Sequence, residues 1–510
     1  MKSKILNCII AFSFIALAGN AQNPVDALRL SNAPVYGGTA RTMGVNGAMG
    51  ALGADYSAVA INPAGLASFR TSEFIISPGY TSVSADAVLY NKTKPNAVVS
   101  DGNAKFYLNN CAFVRARRPE GGNWTTQNWS IGFNRLKTFD ASFYFKGESL
   151  GSIVDRFQEK ANNPNRRPNP FEDSLAIAVG AVYYKKPGDT NYGSDFDGHR
   201  TESIAKSQQG LNSGRVSEFN FAYAANYKEI IQIGASIGVP FMSFYDNKIY
   251  QETDIETAKD WGKIPSFKAL AFTENYGATG WGINAKLGII FKPTQSLRLG
   301  AAIQSPSRYK ISESYDTKLS YTYWEDKPGV PNSAVEVQNT ATPRDIGAYD
   351  YIIRTPWRLT GSAAILAGKR GFVSMDVDYI DYTKMAFQYQ IKDKDAEIDV
   401  NNEIKTNYIA TVNFRFGGEL TKDIFRFRGG LGMVGLPVAV ANPNYFRDAT
   451  KTYSFGLGLR EKKFYFDVAY QFARSSDNYS PYRVSVDYEQ PEVARTQNNS
   501  QFIATLGFKF

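Results

Sequence analysis

The chain has 510 residues, a formal net charge of +9, two cysteines and one histidine, His199. With Cys111 as the one cysteine beyond the N-terminal leader, the sequence excludes an intrachain disulfide framework and is poorly equipped for a metal site, a histidine-ligated cofactor or histidine-based catalysis. The longest basic cluster is Arg115–Arg118, so we also expect no nucleic-acid partner, and we expect that the protein is not an enzyme.

The first 21 residues predict a secretory signal peptide. Lys2 and Lys4 precede the almost wholly apolar run Ile5–Ala18, and Gly19–Ala21 supplies small residues for a signal peptidase. The alternative is a membrane anchor, but the apolar run is shorter than the ~20 residues that a spanning helix needs. We therefore expect export and removal of residues 1–21.

Residues 22–70 show no strand periodicity and contain a glycine-rich run. Its glycines recur at every third position: Gly44, Gly47, Gly50 and Gly53. A phosphate-binding loop would require a following Lys-Ser/Thr, which this run lacks. We interpret the glycines as positions where backbone packs closely against backbone. Asp55 follows the run, and Asn62-Pro63-Ala64 predicts a turn that enters a short helix.

From residue 71 onward, apolar and polar residues alternate, which indicates strands with one apolar face and one polar face. The clearest segments are Phe219–Tyr227, Trp281–Phe291, Ile404–Phe416, Tyr453–Arg460 and Phe464–Phe472. A soluble β-sandwich would alternate too. Segment lengths near the ~9–11 residues of a tilted spanning strand and aromatic residues at segment ends favour a membrane barrel. We predict an all-β fold, a transmembrane antiparallel β-barrel over residues 71–510.

The connections between these segments are of two lengths. Residues 292–296 and 460–463 predict tight turns, whereas 250–268 and 325–350 are long and polar. A still longer extracellular insert is predicted near residues 150–212, and it opens with the amphipathic helix Leu150–Ala161. Short turns at one rim and long loops at the other are usual for outer-membrane barrels.

The sequence resembles the FadL-type family of outer-membrane transporters, which carry long-chain fatty acids or aromatic hydrocarbons. The N-terminal match comprises Gly44–Gly53, Asp55 and Asn62-Pro63-Ala64, followed by a first strand near Glu73–Ser82. Further matching motifs are Asn128–Phe133, Trp281–Pro293, Thr355–Leu359, Val373–Tyr382, Arg428–Gly432, Tyr453–Leu459 and the terminal Phe510. The resemblance implies a monomeric barrel of about 14 strands in the bacterial outer membrane, with residues 22–70 forming a hatch that plugs the lumen.

The resemblance also implies passive transport of a small hydrophobic molecule, such as a long-chain fatty acid. The ligand would leave sideways through a kink in the third strand, where Phe133, Asn134 and Phe139 fall. The matching hatch residues would gate the lumen: Gly44, Gly47, Gly50, Gly53, Asp55, Asn62, Pro63 and Ala64. As further partners we expect outer-membrane lipid, lipopolysaccharide and, at Phe510, the barrel assembly machinery.

A fatty-acid site would need an apolar tunnel and one or two cations. Alternation directs four cations into the lumen, and we predict them as ligand-binding residues: Arg415, Arg426, Arg428 and Lys286. Arg426 and Arg428 are the preferred pair because they share one face, with Phe425 and Phe427 directed to lipid on the other. The alternative is that these cations pair with carboxylates of the hatch or of neighbouring strands.

Two other functions remain open. A haem-binding outer-membrane receptor is one alternative; the single histidine counts against it, although tyrosine can also ligate haem iron. The other alternative is a structural or secretion-associated barrel that binds protein partners. A gated lumen would favour transport over such a scaffold.

Overall fold

The computed structural model describes residues 24–31, 38–91, 95–254, 263–326, 334–390, 393–440, 449–485 and 490–510. The predicted signal peptide, residues 1–21, lies outside the described residues. Among the helices of the described ranges, none combines the length and the apolar character that crossing a membrane requires.

Strands dominate the described chain. The strand segments are β1 Glu73–Leu89, β2 Val99–Arg117, β3 Trp124–Thr138, β4 Ala141–Leu150, β5 Ser203–Tyr227, β6 Ile231–Thr253, β7 Phe267–Phe291, β8 Leu297–Gln304, β9 Arg308–Asp326, β10 Ala334–Ala341, β11 Gly347–Arg354, β12 Arg358–Leu366, β13 Gly371–Asp381, β14 Ala386–Gln388, β15 Ala410–Lys422, β16 Phe425–Val434, β17 Thr450–Arg460, β18 Phe464–Tyr479 and β19 Val493–Lys509. The α-helices are α1 Pro24–Ser31, α2 Ala40–Gly44, α3 Ile153–Ala161, α4 Asp173–Ala178 and α5 Lys394–Asn407, and the 3-10 helices are Tyr56–Ala60, Pro63–Ser68 and Tyr382–Lys384.

Several of these segments are interrupted stretches of one barrel strand, because consecutive segments pair with the same neighbouring strand. β3 and β4 both pair with β5, and β8 and β9 both pair with β7. β10, β11 and β12 form one strand along β9 and β8, and β13 and β14 form the next. The described chain thus forms 14 antiparallel strands, and β1 pairs with β19 to close the ring. The predicted fold class and strand number are confirmed.

The two faces of the barrel differ as the alternation predicts. On β7, Trp281, Ile283 and Leu287 point outward and are between 51 and 59% exposed, whereas the inward Asn284 and Lys286 are buried. The same contrast recurs on β16, where Phe425 and Phe427 are exposed and Arg428 is buried. Scattered exposed apolar side chains are common on soluble proteins, but a continuous apolar belt indicates a surface that contacts lipid.

The connections also follow the predicted layout. One rim carries only short turns, at residues 118–123, 228–230, 292–296, 367–370, 423–424 and 461–463. The opposite rim, called here the long-loop rim, carries the long connections, including the insert between β4 and β5.

Several boundaries differ from the sequence predictions. The insert spans 151–202 rather than 150–212, because β5 begins at Ser203 and continues the wall beyond the lipid-facing belt. The predicted long loops are shorter for the same reason: β6 and β7 extend into 250–268, and β10 occupies part of 325–350.

The prediction of one strand over Ile404–Phe416 is wrong in its first half. Residues up to Asn407 belong to α5, and β15 begins at Ala410. Val400 and Ile404 are four residues apart and are both buried, which is the spacing of one helix face. Positions four residues apart lie on the same face of a strand and also on the same face of a helix. The local pattern could therefore not separate a strand from a helix here.

Candidate functional site

Residues 38–69 lie within the ring of strands and are almost entirely buried. They form hydrogen bonds to inward-facing side chains from strands distributed around the ring. These bonds, 2.6–3.1 Å long, join Ala40 to Thr505 on β19, Asn46 to Thr452 on β17, Gly50 to Asp376 on β13, Tyr56 to Asn220 on β5 and Ser68 to Gln232 on β6. The contacts are with polar side chains because the inward faces of the strands are polar here.

Two predicted hatch residues shape this segment locally. Asp55 begins the 3-10 helix Tyr56–Ala60 by accepting a hydrogen bond from the backbone N–H of Ser57, 2.9 Å away. Asn62 begins the helix Pro63–Ser68 in the same way, with Ala64 as donor at 3.1 Å, and Pro63 stands at the first helical turn. Asn62 also donates to the carbonyl oxygen of Ile289 on β7, so this cap ties the segment to the wall.

The glycines permit close backbone packing, as the spacing predicts. A Cβ on Gly44 would lie 3.2 Å from the Cα of Gly456 on β17, and one on Gly50 would lie 2.1 Å from Ser362 Oγ. Gly53 has a φ of +68° and faces Gly65, whose carbonyl oxygen would be 2.3 Å from an added Cβ. Gly47 also has a positive φ, +79°.

Gly53→Ala is therefore expected to open a leak through the barrel. The left-handed conformation alone costs an alanine about 1–2 kcal/mol, and the Gly65 carbonyl must also move. The matched control is Gly121→Ala, since Gly121 has a φ of +78° in a short turn with no heavy atom within 4 Å of the added Cβ. Ion conductance in planar bilayers should rise for Gly53→Ala and stay at the wild-type level for Gly121→Ala; equal conductance in both variants would contradict a packing role for Gly53.

The four predicted ligand-binding cations all have protein partners. Arg428 donates to Glu419 and to Asp467, each at 2.7 Å, and all three side chains are buried. The buried residues 38–69, called here the plug, contribute Arg41 of α2, whose guanidinium is 3.6 Å from Glu419. Arg426 lies near the same Glu419 at 4.0 Å. The preferred pair of the sequence analysis therefore meets a carboxylate network that joins plug and wall.

The other two cations lie on separate strands with carboxylates of their own. Arg415 donates to Asp378 at 2.9 Å and is 3.5 Å from Asp376. Lys286 forms a buried ion pair with Glu218. The structure thus does not bring the four cations into one site, and each pairing corresponds to the alternative that the sequence left open.

Above the plug, an apolar cluster fills the middle of the barrel. Ala27 and Leu30 of α1 pack there against side chains of the wall and of α5. We call this cluster the aromatic chamber, after its ring-bearing members Phe139, Phe244, Tyr309, Tyr351, Tyr382, Phe387, Tyr389 and Tyr408. The sequence analysis missed it, because its members come from segments far apart in the chain.

Little empty space remains in this part of the lumen. A cavity beside α1, lined by Leu30, Leu136 and Tyr309 among others, has a volume of about 40 Å³. Pockets for small molecules typically measure about 300–1,000 Å³. This cavity is therefore too small for a ligand of fatty-acid size.

The insert fills the barrel at the long-loop rim. Phe157 of α3 packs edge-on against Phe272, and Phe196 packs against Phe267, both on β7. Within the insert, burial disfavours the Glu172 carboxylate, but the neighbouring Arg156 and Lys160 outweigh that effect and lower its pKa. The insert is therefore a packed cap rather than a loose loop.

The barrel wall lacks continuous backbone pairing on one side, where β4 packs against β1 through side chains. β2 pairs with β3 only from Asn110, opposite Asn134, to Arg117. Further toward the long-loop rim, β2 keeps β1 as its partner and β4 keeps β5, and no pairing joins β2 to β4 among the described residues. We call the space between residues 99–109 and 135–150 the wall gap.

The predicted kink residues lie at the end of the wall gap that is nearer the short-turn rim. Asn134 is the last residue of β3 that pairs with β2, and its side-chain oxygen accepts a hydrogen bond from the side-chain amide of Asn110 at 2.6 Å. The strand then shifts register between Arg135 and Lys137 and is interrupted at Phe139–Asp140. The ring of Phe133 packs at a tilt of 56° against that of Phe219, whereas Phe139 turns inward into the aromatic chamber.

Side-chain contacts bridge the wall gap where backbone pairing stops. Lys105 of β2 forms an ion pair with Asp140 at 2.6 Å. The guanidinium of Arg135 lies 4.3 Å above the Tyr107 ring, and its buried Nε has no hydrogen-bond partner among the described residues. Lys137 donates to the carbonyl oxygen of Arg29 on α1 at 3.3 Å. Cationic side chains thus lie both beside α1 of the chamber, at Lys137, and at the wall gap, at Arg135 and Lys105.

The chain has the fold of FadL-type barrels. It is similar to the crystal structure of a Pseudomonas aeruginosa FadL homologue, with a TM-score of 0.53 and 13% identity over 93% of this chain and 98% of that chain. It is also similar to the P. putida toluene transporter TodX, with a TM-score of 0.50 and 12% identity over 93% of this chain and 99% of that chain. No protein-family model and no curated protein sequence matches the chain.

Proposed function

We propose that this protein lets a small hydrophobic molecule diffuse passively across the outer membrane, and that the molecule leaves the barrel sideways through the wall gap. One observation carries the proposal: an apolar chamber inside the barrel lies directly beside an interruption in the wall, with Phe139 at their junction. An apolar solute that passes from such a chamber directly into lipid avoids the free-energy cost of entering water. Of the two structural neighbours named above, one is a FadL homologue and the other a toluene transporter by name, which supports the same function.

The N-terminal segment supports a sideways route over a straight one. We assign residues 22–70 to a hatch and 71–510 to the barrel. The described hatch residues 38–69 are buried and tied to strands around the ring, so they obstruct passage toward the short-turn rim. Opening that route would break many buried polar contacts, each costly to leave unmade. Displacing α1 from the chamber exposes the wall gap instead.

The ligand class follows from the charges beside the route. We propose a long-chain fatty acid or a similar anionic amphiphile rather than a neutral hydrocarbon. Arg135 presents a buried Nε–H that has no hydrogen-bond partner among the described residues, at the edge of the gap. A carboxylate would satisfy it with a charge-assisted hydrogen bond. The cations Arg415, Arg426, Arg428 and Lys286 would then support the hatch and the wall, and Arg135 would meet the ligand.

The test compares two probes that differ in one charge. Cells that depend on this protein for uptake are given oleate or methyl oleate. Replacing Arg135 by Gln (Arg135→Gln) should lower oleate uptake about tenfold and leave methyl oleate uptake nearly unchanged, because only oleate carries the carboxylate. The control is Arg115→Gln, an exposed arginine on the paired part of β2, which should transport both probes normally.

Three outcomes would overturn the proposal. Equal losses of both probes would argue against a carboxylate contact at Arg135. Absence of uptake of either probe by the wild-type protein would argue against transport itself. Haem absorbance in the purified protein, or a stably bound protein partner instead of a lipid, would favour the receptor or the scaffold function.

We further propose that the protein is a monomer of the bacterial outer membrane, surrounded by lipid and lipopolysaccharide. The belt of exposed apolar side chains supports a lipid environment. Phe510 ends the chain next to β19 and is 64% exposed, so it is accessible for recognition by the barrel assembly machinery.

A further inference from the structure

A second irregularity of the wall lies away from the gap. It is at the end of the ninth barrel strand, formed by β13 and β14, that faces the long-loop rim. There β14 pairs with β11 on one side. On its other side the tenth strand is too short to reach it, since the pairing of β13 with β15 ends at Asp381 and Ala410. The helix α5 occupies the place where strand pairing would continue.

Side chains of α5 replace the missing strand partner. In an antiparallel strand, the N–H and C=O groups of one residue point to the same side. Those of Phe387 are both taken by one amide: Asn401 Oδ1 accepts from the N–H at 2.8 Å, and Asn401 Nδ2 donates to the carbonyl oxygen at 3.0 Å. The N–H of Tyr389 is bound by Glu397 at 2.7 Å. A strand edge is thus satisfied by a helix.

The same helix covers the aromatic chamber. Its buried residues Val400 and Ile404 belong to the chamber cluster, and α1 packs against α5 from within. Most of its remaining residues are exposed or half-exposed and polar or charged, as Asp395, Asp399 and Lys405 illustrate. Beyond these apolar contacts, the described hydrogen bonds that hold α5 are the three to Phe387 and Tyr389, one from the Tyr349 hydroxyl to the N-cap residue Asp393 at 2.5 Å, and one from the N–H of Ala439 to the carbonyl oxygen of Asn407 at 2.9 Å.

We propose that α5 is a movable section of the barrel wall, and that its displacement opens a portal through which an apolar ligand reaches the aromatic chamber from the long-loop rim. A wall built of strand pairing would have to break a row of backbone hydrogen bonds to open. Here a few side-chain bonds suffice, and the strand edge left behind is short. The insert packs against the wall at the same rim, and a route beside α5 avoids it. The inference rests on the proposed transport function and adds the place of access.

Opening is detected first without transport. In a Cys111→Ser background, Val400→Cys places a thiol on the buried face of α5, and its reaction with a water-soluble maleimide reports exposure. Adding Asn401→Ala should raise the labelling rate about tenfold, because both backbone groups of Phe387 lose their partner. Val114→Cys, a buried residue on β2 outside the chamber cluster, serves as the control and should label at its original rate with or without Asn401→Ala.

Locking α5 then tests its role in uptake. Gln388→Cys and Asn401→Cys, joined by a short reducible thiol cross-linker, fix the helix to β14. Oleate uptake should fall at least about fivefold and recover on reduction. The matched control joins Leu359→Cys to Tyr379→Cys, which are register partners on adjacent strands of the continuous wall, and it should transport normally.

The outcomes separate this inference from the proposed function. If the wild-type protein takes up oleate and the locked variant does so equally well, the portal is refuted and transport stands. If the wild-type protein takes up no oleate, transport itself is refuted. Unchanged labelling of Val400→Cys in the Asn401→Ala variant would also refute the portal, because α5 would then not depend on these bonds.

Discussion

Joining β2 to the third barrel strand across the wall gap is expected to lower oleate uptake at least about tenfold. In a Cys111→Ser background, Lys105→Cys and Asp140→Cys replace the ion pair that bridges the gap. A reducible cross-linker of roughly the length of the lost side chains then prevents the two strands from separating. The effect should be large because no described backbone pairing between β2 and β4 has to be overcome for opening, and the ion pair joins the two sides directly.

The control uses the same chemistry where the wall is already continuous. Arg117→Cys and Gln127→Cys are register partners of β2 and β3 near the short-turn rim. A cross-link there should leave uptake at the wild-type rate. Reduction should restore uptake in the gap variant, which separates a blocked exit from a damaged barrel. Full transport through the cross-linked gap would show that the ligand leaves by another route.

Replacing Arg428 by Ala (Arg428→Ala) is expected to destabilise the protein by about 3–5 kcal/mol. The substitution removes the shared partner of Glu419 and Asp467 and leaves two buried carboxylates without it. It also removes a contact surface of the plug, since Gly44 packs against this side chain. The shift is measured from tryptophan fluorescence during urea unfolding in detergent micelles.

The compensated variant distinguishes lost charge balance from lost packing. Arg428→Met with Asp467→Asn keeps similar volumes and removes one charge of each sign, while Glu419 keeps Arg41 and Arg426 beside it. It should recover most of the stability, because a buried ion pair contributes little beyond the desolvation cost that it offsets. An unchanged stability in Arg428→Ala would contradict the structural role, and loss of bound oleate at unchanged stability would restore Arg428 as a ligand residue.

The faces of the barrel were predictable because alternation is a local property. A residue two positions along a strand returns to the same side, so Phe425 and Arg428 could be assigned to opposite faces from the sequence. Asn62 could be placed at a turn for the same reason, since a capping side chain binds a backbone N–H two or three residues away.

Interactions between distant segments could not be predicted in this way. The partner of Arg428 depends on which strand lies beside β16, and the plug residue Arg41 reaches the same carboxylate from far along the chain. The aromatic chamber likewise combines α1, several strands and α5, and no spacing in the sequence relates them.

The sequence by itself therefore determined a lipid-facing barrel of alternating strands, its short and long connections, and close backbone packing at the glycines of the N-terminal segment. The tertiary structure decided that α5 replaces the start of a predicted strand, that the lumenal cations pair with carboxylates, and that β2 and β4 do not pair. The physical reason is the range of the forces concerned. Strand faces and helix caps are fixed by neighbours in the chain, whereas ion pairs, filled cavities and gaps in a wall depend on which distant segments the closed ring brings together.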